Sequence, residues 1–232
     1  MSRILFTCST PHIGRSYLNG IGLTSLGAFL EQTPEFRLLR DELRAEAVDS
    51  CVHILPDALP FVLANLWETL DIPVLIVTPR PDDARRLVEN LSLWSSNGEL
   101  VLHFPETETL PYERLLSDME TTRQRLQTLA KLSDENCKPP IVVASTTALT
   151  QKTIGRPAFN SACRELRRGQ QVVLADLIDG WSRMGYEFGP TVYAPGAASR
   201  RGGILDVYPI NCLQPVRIEL WDDVIDLSLI HN

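Results

Sequence analysis

Apolar residues along this chain follow two patterns, and each predicts a different element. Residues at helical spacing predict amphipathic helices, whereas short continuous apolar runs predict strands. Runs such as 73–77 and 141–144 are typical of strands that are buried on both faces of a parallel sheet. The predicted strands are 52–55, 73–77, 100–104 and 141–144, and the predicted helices are 34–47, 56–70, 82–94, 118–132 and 146–152. This alternation predicts an α/β domain with a doubly wound parallel sheet.

A different pattern begins after Gly155-Arg156-Pro157, which we interpret as a domain boundary. The predicted elements there are a strand at 171–174, a helix at 175–184, and strands at 203–208 and 215–221. They predict a small α+β domain. The expected organisation is a poorly ordered leader at 1–32, an α/β domain at 33–155 and a small domain at 156–232.

Composition is that of a globular protein and excludes several classes. The 232 residues are 44% hydrophobic and 22% charged, which argues against disorder. No run of about 18 apolar residues predicts a membrane span, and the first ten residues do not resemble a signal peptide. Five scattered cysteines without a C-x-x-C pair predict reduced thiols, a cytoplasmic location and no metal site.

Charge is unevenly distributed, although the net charge is −7. Residues 151–220 carry nine Lys and Arg against six Asp and Glu. This excess has two interpretations, chance surface charge or a basic face for an acidic partner. The acidic balance of the whole chain argues against non-specific DNA binding.

The predicted loop after the first strand, residues 55–60, does not suit a phosphate. It contains neither Gly nor Lys, it has two prolines that lack N–H donors, and Asp57 would repel the anion. No Gly-Lys pair occurs anywhere in the chain. We therefore expect no nucleotide or other cofactor and no catalytic site.

Alternation along 215–221 predicts which side chains face outward. Val216, Ile218 and Leu220 would face the core, and residues 217, 219 and 221 the outside. An exposed Trp beside an Arg is typical of an interface hot spot. The alternatives are that Trp221 packs under another domain and that Arg217 pairs with Glu219 or Asp222. We interpret Gly202-Gly203 as a bulge or a close backbone approach, and Asp206 as a structural hydrogen-bond acceptor.

Three segments together resemble the family of bacterial transcription-repair coupling factors. They are ETLPYE at 108–113 with Asp118 and the Arg- and Leu-containing segment 123–129, then GY at 185–186 with RGGILDVYP at 201–209, and PVRIELWDD at 215–223. The second segment is also similar to the excision-repair protein UvrB. The resemblance extends from about residue 33 to residue 225.

The resemblance implies a UvrB-like module: a helicase-like domain, of degenerate P-loop NTPase type, followed by a small UvrB-interaction domain that binds UvrA. By motif, the UvrA-binding residues are Arg201, Arg217 and Trp221, the last where the family usually has Phe. Such a module recruits UvrA for nucleotide excision repair at RNA polymerase stalled on damaged DNA.

In the family, an RNA-polymerase-binding domain and an ATP-driven translocase on double-stranded DNA follow this module. This chain resembles a truncated copy without that motor, so we expect an adaptor rather than an enzyme. Two alternatives remain: a nucleotide-dependent helicase fragment, and a module that binds DNA directly through the Arg-rich segment 156–201.

Overall fold

The computed structural model describes residues 26–45, 51–107, 119–134, 137–163 and 166–229. These residues form two units by spatial contact. The first unit contains the described residues up to 106 together with 134–151, and the second contains 107–133 and 152–229. Each unit is discontinuous in sequence. The division predicted above, with a single boundary near residue 155, stays a prediction.

Seventeen elements make up the described residues, one of them a short 3-10 helix at Gly98–Leu100. The helices are α1 (Gly27–Leu30), α2 (Pro34–Arg44), α3 (Leu59–Leu70), α4 (Pro81–Trp94), α5 (Met119–Ser133), α6 (Thr146–Thr150), α7 (Arg156–Ala162) and α8 (Leu174–Arg183). The strands are β1 (Val74–Thr78), β2 (Val101–Phe104), β3 (Ile141–Ser145), β4 (Glu187–Phe188), β5 (Ala197–Arg201), β6 (Ile204–Val207), β7 (Val216–Trp221) and β8 (Val224–Leu229).

The first unit is built on a parallel sheet of β1, β3 and β2, in that order among the described residues. Its middle strand, β3, is buried along its whole length, as its continuous apolar run predicts. Helices α3 and α4 pack on the sheet and bury Trp67 and Leu91 completely. The indole N–H of Trp67 donates to the carbonyl oxygen of Pro139 at 2.8 Å. The predicted α/β architecture with a parallel sheet is therefore confirmed.

Two predictions for this unit are wrong. Residues 52–55 are not a strand: they form a short, mostly apolar segment with which no described strand pairs. Residues 55–60 consequently do not follow a strand, and the β1–α4 connection is instead Pro79-Arg80, which also contains neither Gly nor Lys. Strand β1 is not buried on both faces: among the described strands it lies at the edge of the sheet, and Leu75 and Val77 are exposed.

The second unit is built on a five-stranded sheet in the order β4-β5-β6-β7-β8, antiparallel except for β4 and β5. Helix α8 covers one face, where Trp181, Leu205 and Ile218 are fully buried. Strands β6 and β7 and helix α8 match the predicted elements. The predicted strand at 171–174 is wrong, since only an isolated bridge from Gln171 to Val224 forms and α8 begins at Leu174.

Helices α5 and α7 complete the second unit. Leu126 of α5 is buried against Phe159 of α7, and the Gln127 amide donates to the carbonyl oxygen of Asn211 at 2.9 Å. Met119, which begins the first turn of α5, is exposed. In the described parts of both units, no helix has the length and apolar character that crossing a membrane requires.

The leader predicted at 1–32 lies mostly outside the described residues. Of its sequence only 26–32 are described, and they include α1. The connection between β2 and α5 is also described only up to residue 107.

Candidate protein-interaction site

Strands β6 and β7 place two opposite charges directly across from each other. Asp206 pairs in register with Arg217, and each has core residues on both sides along its own strand. Because successive side chains of a strand point to opposite faces, the buried Leu205, Val207 and Ile218 set one face and the charged pair lies on the other. We call this second face, which is opposite α8, the outer face of the sheet.

The ion pair between Arg217 and Asp206 is bidentate. Arg217 Nε donates to Asp206 Oδ1 at 2.7 Å, and Arg217 Nη2 donates to Asp206 Oδ2 at 2.9 Å. The Asp206 side chain is 13% exposed and that of Arg217 is 38% exposed. The hydrogen bonds from Arg217 to Asp206, with the attraction of the carboxylate, raise the pKa of Arg217 above its ordinary value.

Asp206 therefore accepts structural hydrogen bonds, as the sequence predicts. Arg217 does form an intrachain ion pair, as one alternative expected, but its partner is Asp206 and neither Glu219 nor Asp222. The register of β6 against β7 selects the partner, because it aligns position 206 with position 217.

Arg201 ends β5 on the same outer face. Its Nη2 donates to the carbonyl oxygen of Pro190 at 2.9 Å. Arg201 and Arg217 line one open groove of about 150 Å³. The other residues of the groove are Pro190, Thr191, Val192, Ser199, Asp206 and Pro215. The structure thus brings together two of the three residues that the resemblance selects.

Trp221, the third residue, lies at the far end of β7 and does not line the groove. It is four residues beyond Arg217, or about 13 Å along the strand, and it points to the same face. Its side chain is 75% exposed. The described residues leave a large flat aromatic surface open to a partner.

Two glycines fix the hairpin that carries Arg201. Gly202 and Gly203 form the turn between β5 and β6, and Gly202 adopts a φ of +63°. A Cβ on Gly203 would lie 3.0 Å from the carbonyl oxygen of Leu220, and the Leu220 N–H donates to the Gly203 carbonyl at 2.9 Å. The interpretation of this pair as a close backbone approach is confirmed: the turn is held against β7.

Sequence reasoning missed the wall of the groove formed by residues 190–192 and by Ser199. Apolar residues have no regular spacing in the loop 190–192, so no element is predicted there. The loop contacts Arg201 through the backbone carbonyl of Pro190, a group that any residue supplies. Gly189-Pro190 is the one local signal, because this dipeptide marks a turn.

Other candidate sites have less support. Among the described residues, no group of three or more His, Cys, Asp or Glu side chains could hold a metal ion. Glu106 accepts a hydrogen bond from Ser145 Oγ at 2.9 Å. Two further glutamates close to it in sequence, Glu108 and Glu113, lie outside the described residues.

Comparison with known proteins shows what the same region is similar to. Residues 165–231, which contain Arg201, Arg217 and Trp221, match the family model of the UvrB interaction domain. Over 205 residues, or 88% of its length, the chain is 25% identical to the transcription-repair-coupling factor of Bacillus subtilis. It is 31% identical over 196 residues, or 82% of its length, to the transcription-repair-coupling factor of Myxococcus xanthus.

A more distant similarity joins the chain to UvrABC system protein B of Fervidobacterium nodosum, with 27% identity over 72% of the chain and 26% of that protein. The matches span 17% and 16% of the length of the two coupling factors above. The resemblance to the coupling factors and to UvrB is therefore confirmed over most of this chain, and the chain corresponds to a small part of those proteins.

Proposed function

We propose that the second unit is a docking module for UvrA, and that through it the chain acts as an adaptor in transcription-coupled nucleotide excision repair. One observation carries the proposal. Arg201 and Arg217 converge on one groove, on the face that also exposes Trp221, within a segment that matches the UvrB interaction domain.

The chemistry of this face suits a protein partner. Arginine presents a planar fork of N–H donors that fits carboxylates, and Trp and Arg are enriched among residues that dominate binding energy. The groove holds two guanidinium groups and one carboxylate. Its charge therefore favours an acidic segment of UvrA, with Trp221 covered by an apolar part of the same partner.

For the first unit we propose a helicase-like fold without a nucleotide site. Its support is the parallel β1-β3-β2 sheet and a β1–α4 connection without Gly or Lys. On this proposal the chain hydrolyses no ATP. RNA polymerase and double-stranded DNA are then partners only of a longer protein with the additional domains of the family. The site of action is the cytoplasm, where the DNA of bacteria lies.

Calorimetric titration of UvrA into this chain tests the proposal. We expect binding by the wild-type protein, weaker binding by Arg201→Ala and by Arg217→Ala, and none at micromolar concentration by the double variant. Each charged contact that is lost costs roughly 2–5 kcal/mol when its partner group remains buried.

Arg183→Ala is the matched control for charge. Arg183 lies on α8, on the opposite side of the sheet, and pairs with Asp179. We expect this variant to bind as the wild type does, with circular dichroism showing that every variant is folded. A folded wild-type chain that does not bind UvrA, or equal weakening by Arg183→Ala, would contradict the proposal.

A further inference from the structure

Asp206 occupies only one of the two edges of the Arg217 guanidinium group. A guanidinium can bind a carboxylate side-on, through Nε and one Nη, or end-on, through both Nη atoms. Asp206 takes the side-on edge through Nε and Nη2. In the described part of the chain Arg217 makes no other hydrogen bond, so its end-on edge remains available to a second carboxylate.

Asp206 is held in a fixed position by the sheet and by its burial. It is held opposite Arg217 by the pairing of β6 with β7, and only 13% of its side chain is exposed. A free arginine side chain loses rotamer freedom when it binds, and this loss of entropy opposes binding. Because two hydrogen bonds already fix Arg217, that ordering is complete before a partner arrives.

We propose that Asp206 is a positioning residue, which holds Arg217 so that the end-on edge of its guanidinium receives a carboxylate of UvrA in the groove. This inference rests on the proposed function. It assigns to Asp206 a part in recognition, although Asp206 itself bears the wrong charge to attract an acidic partner.

The direction in which affinity for UvrA changes when Asp206 is removed distinguishes a positioning role from a purely electrostatic one. If Asp206 acted only through its charge, its removal would make the groove more positive and would strengthen binding of an acidic segment. If Asp206 positions Arg217, its removal weakens binding in spite of that gain in charge.

The experiment measures the affinity of UvrA for four proteins: the wild type, Asp206→Ala, Asp206→Asn and Asp226→Ala. Asp226 is the matched control, because it lies across from Glu219 on the neighbouring strand and pairs with Arg168 at 2.6 Å. We expect Asp206→Ala to weaken binding by up to about tenfold. Asp206→Asn, which keeps one acceptor and the shape, should weaken it less, and Asp226→Ala should leave affinity unchanged or raise it.

A double-mutant cycle with Arg217→Ala excludes a merely structural role. If Asp206 acts through Arg217, adding Asp206→Ala to Arg217→Ala causes no further loss of affinity. A structural role would weaken binding equally in both backgrounds. If Asp206→Ala does not fold, the same cycle is measured with Asp206→Asn, because either substitution can be combined with Arg217→Ala.

The outcomes distinguish this inference from the proposed function. If the wild type binds and Arg217→Ala weakens it, but Asp206→Ala and Asp206→Asn bind as tightly as Asp226→Ala, the positioning role is wrong and the docking function stands. If the folded wild type does not bind UvrA at all, both are wrong.

Discussion

Trp221 and Trp181 show how differently two tryptophans of one unit are used. Trp181 is fully buried beneath the five-stranded sheet, whereas Trp221 is 75% exposed on the other face. Burial of a large aromatic side chain stabilises the fold, and an exposed one contributes little to it. Trp181 therefore stabilises the fold, whereas the exposed side chain of Trp221 is available to bind a partner.

Substitution of Trp221 should separate binding from stability. For Trp221→Ala we expect a change of no more than about 0.5 kcal/mol in the free energy of unfolding. The affinity for UvrA should fall by about 2 kcal/mol or more, as at a hot spot. Trp221→Phe should retain most of the affinity, because it keeps a flat ring. Denaturant titration and calorimetry measure the two quantities.

Trp181→Ala is the contrasting variant. It should lose about 3–5 kcal/mol of stability, since it leaves a cavity in the core. Similar losses of stability from both Ala variants would mean that Trp221 is a packing residue after all.

Cys163 provides a chemical probe of the same unit. Burial raises the pKa of its thiol to about 11. Only the thiolate is nucleophilic, so at pH 8 Cys163 should react with iodoacetamide much more slowly than the exposed Cys51. Mass spectrometry of timed samples identifies which cysteine is modified first. Faster modification of Cys163 would show that it is accessible and ionised.

The same shift in pKa has a consequence for stability. The unfolded thiol ionises near pH 8.5 and the folded one near 11, so the folded state binds the proton more tightly. The contribution of Cys163 to stability is complete below about pH 8.5 and is lost as the pH rises toward 11. Cys163→Ala should unfold with a weaker pH dependence in this range, in denaturant titrations at each pH.

Individual side-chain partners were the least predictable feature. The sequence identified Arg217 as outward-facing and Asp206 as an acceptor, yet it did not join them. An ion pair across two strands depends on their register, and the alternation of one strand does not specify the register of its neighbour.

The β5–β6 hairpin is the element that brings Arg201 to the groove. Its two-residue turn has a positive φ at Gly202 and a close contact at Gly203. These two requirements are independent, since the first concerns the backbone conformation and the second the space beside β7.

Gly203→Ala should therefore destabilise the second unit, because its Cβ would lie 3.0 Å from a backbone oxygen of β7. Gly180→Ala is the matched control. Gly180 lies inside α8, where a Cβ has nothing within 4 Å. We expect it to raise stability by up to about 1 kcal/mol through helix propensity. Thermal unfolding of both variants checks the opposite signs, and an equal or higher melting temperature for Gly203→Ala would contradict the close contact.

Most elements with a strong apolar pattern were predicted, but β8 was missed although Ile225, Leu227 and Leu229 alternate with polar residues. Strands β3 and β7 have a continuous and an alternating pattern, and both were predicted within a residue or two. Strand β5, with the sequence AASRR, has no large apolar residue and was missed. Residues 52–55 have a mostly apolar composition, but no strand in the described part of the chain pairs with them.

At the scale of the whole molecule, the two units are built from interleaved parts of the chain. Helix α5 precedes β3 in sequence, yet it belongs to the second unit with α7 and the five-stranded sheet. Sequence patterns predict elements in order, and they contain no information on which unit a given helix joins.

Leu126→Ala tests this assignment of α5. Leu126 is buried against Phe159, so the variant should destabilise the second unit by about 2–5 kcal/mol. Amide hydrogen exchange should show faster exchange in β5, β6 and β7 and unchanged exchange in β1 and β3. Leu91→Ala, in the core of the first unit, is the matched control and should give the reverse pattern. Faster exchange in β3 but not in β6 after Leu126→Ala would assign α5 to the first unit.

The bidentate contact between Asp206 and Arg217 also affects how this surface can change during evolution. Replacement of either residue alone leaves a charge without its counterpart, so we expect the two positions to be inherited as a pair and to change together. Trp221 is mostly exposed at the other end of the strand, and on the proposed function its main contact is with UvrA. Drift at position 221 should therefore follow changes in UvrA, whereas positions 206 and 217 should follow each other.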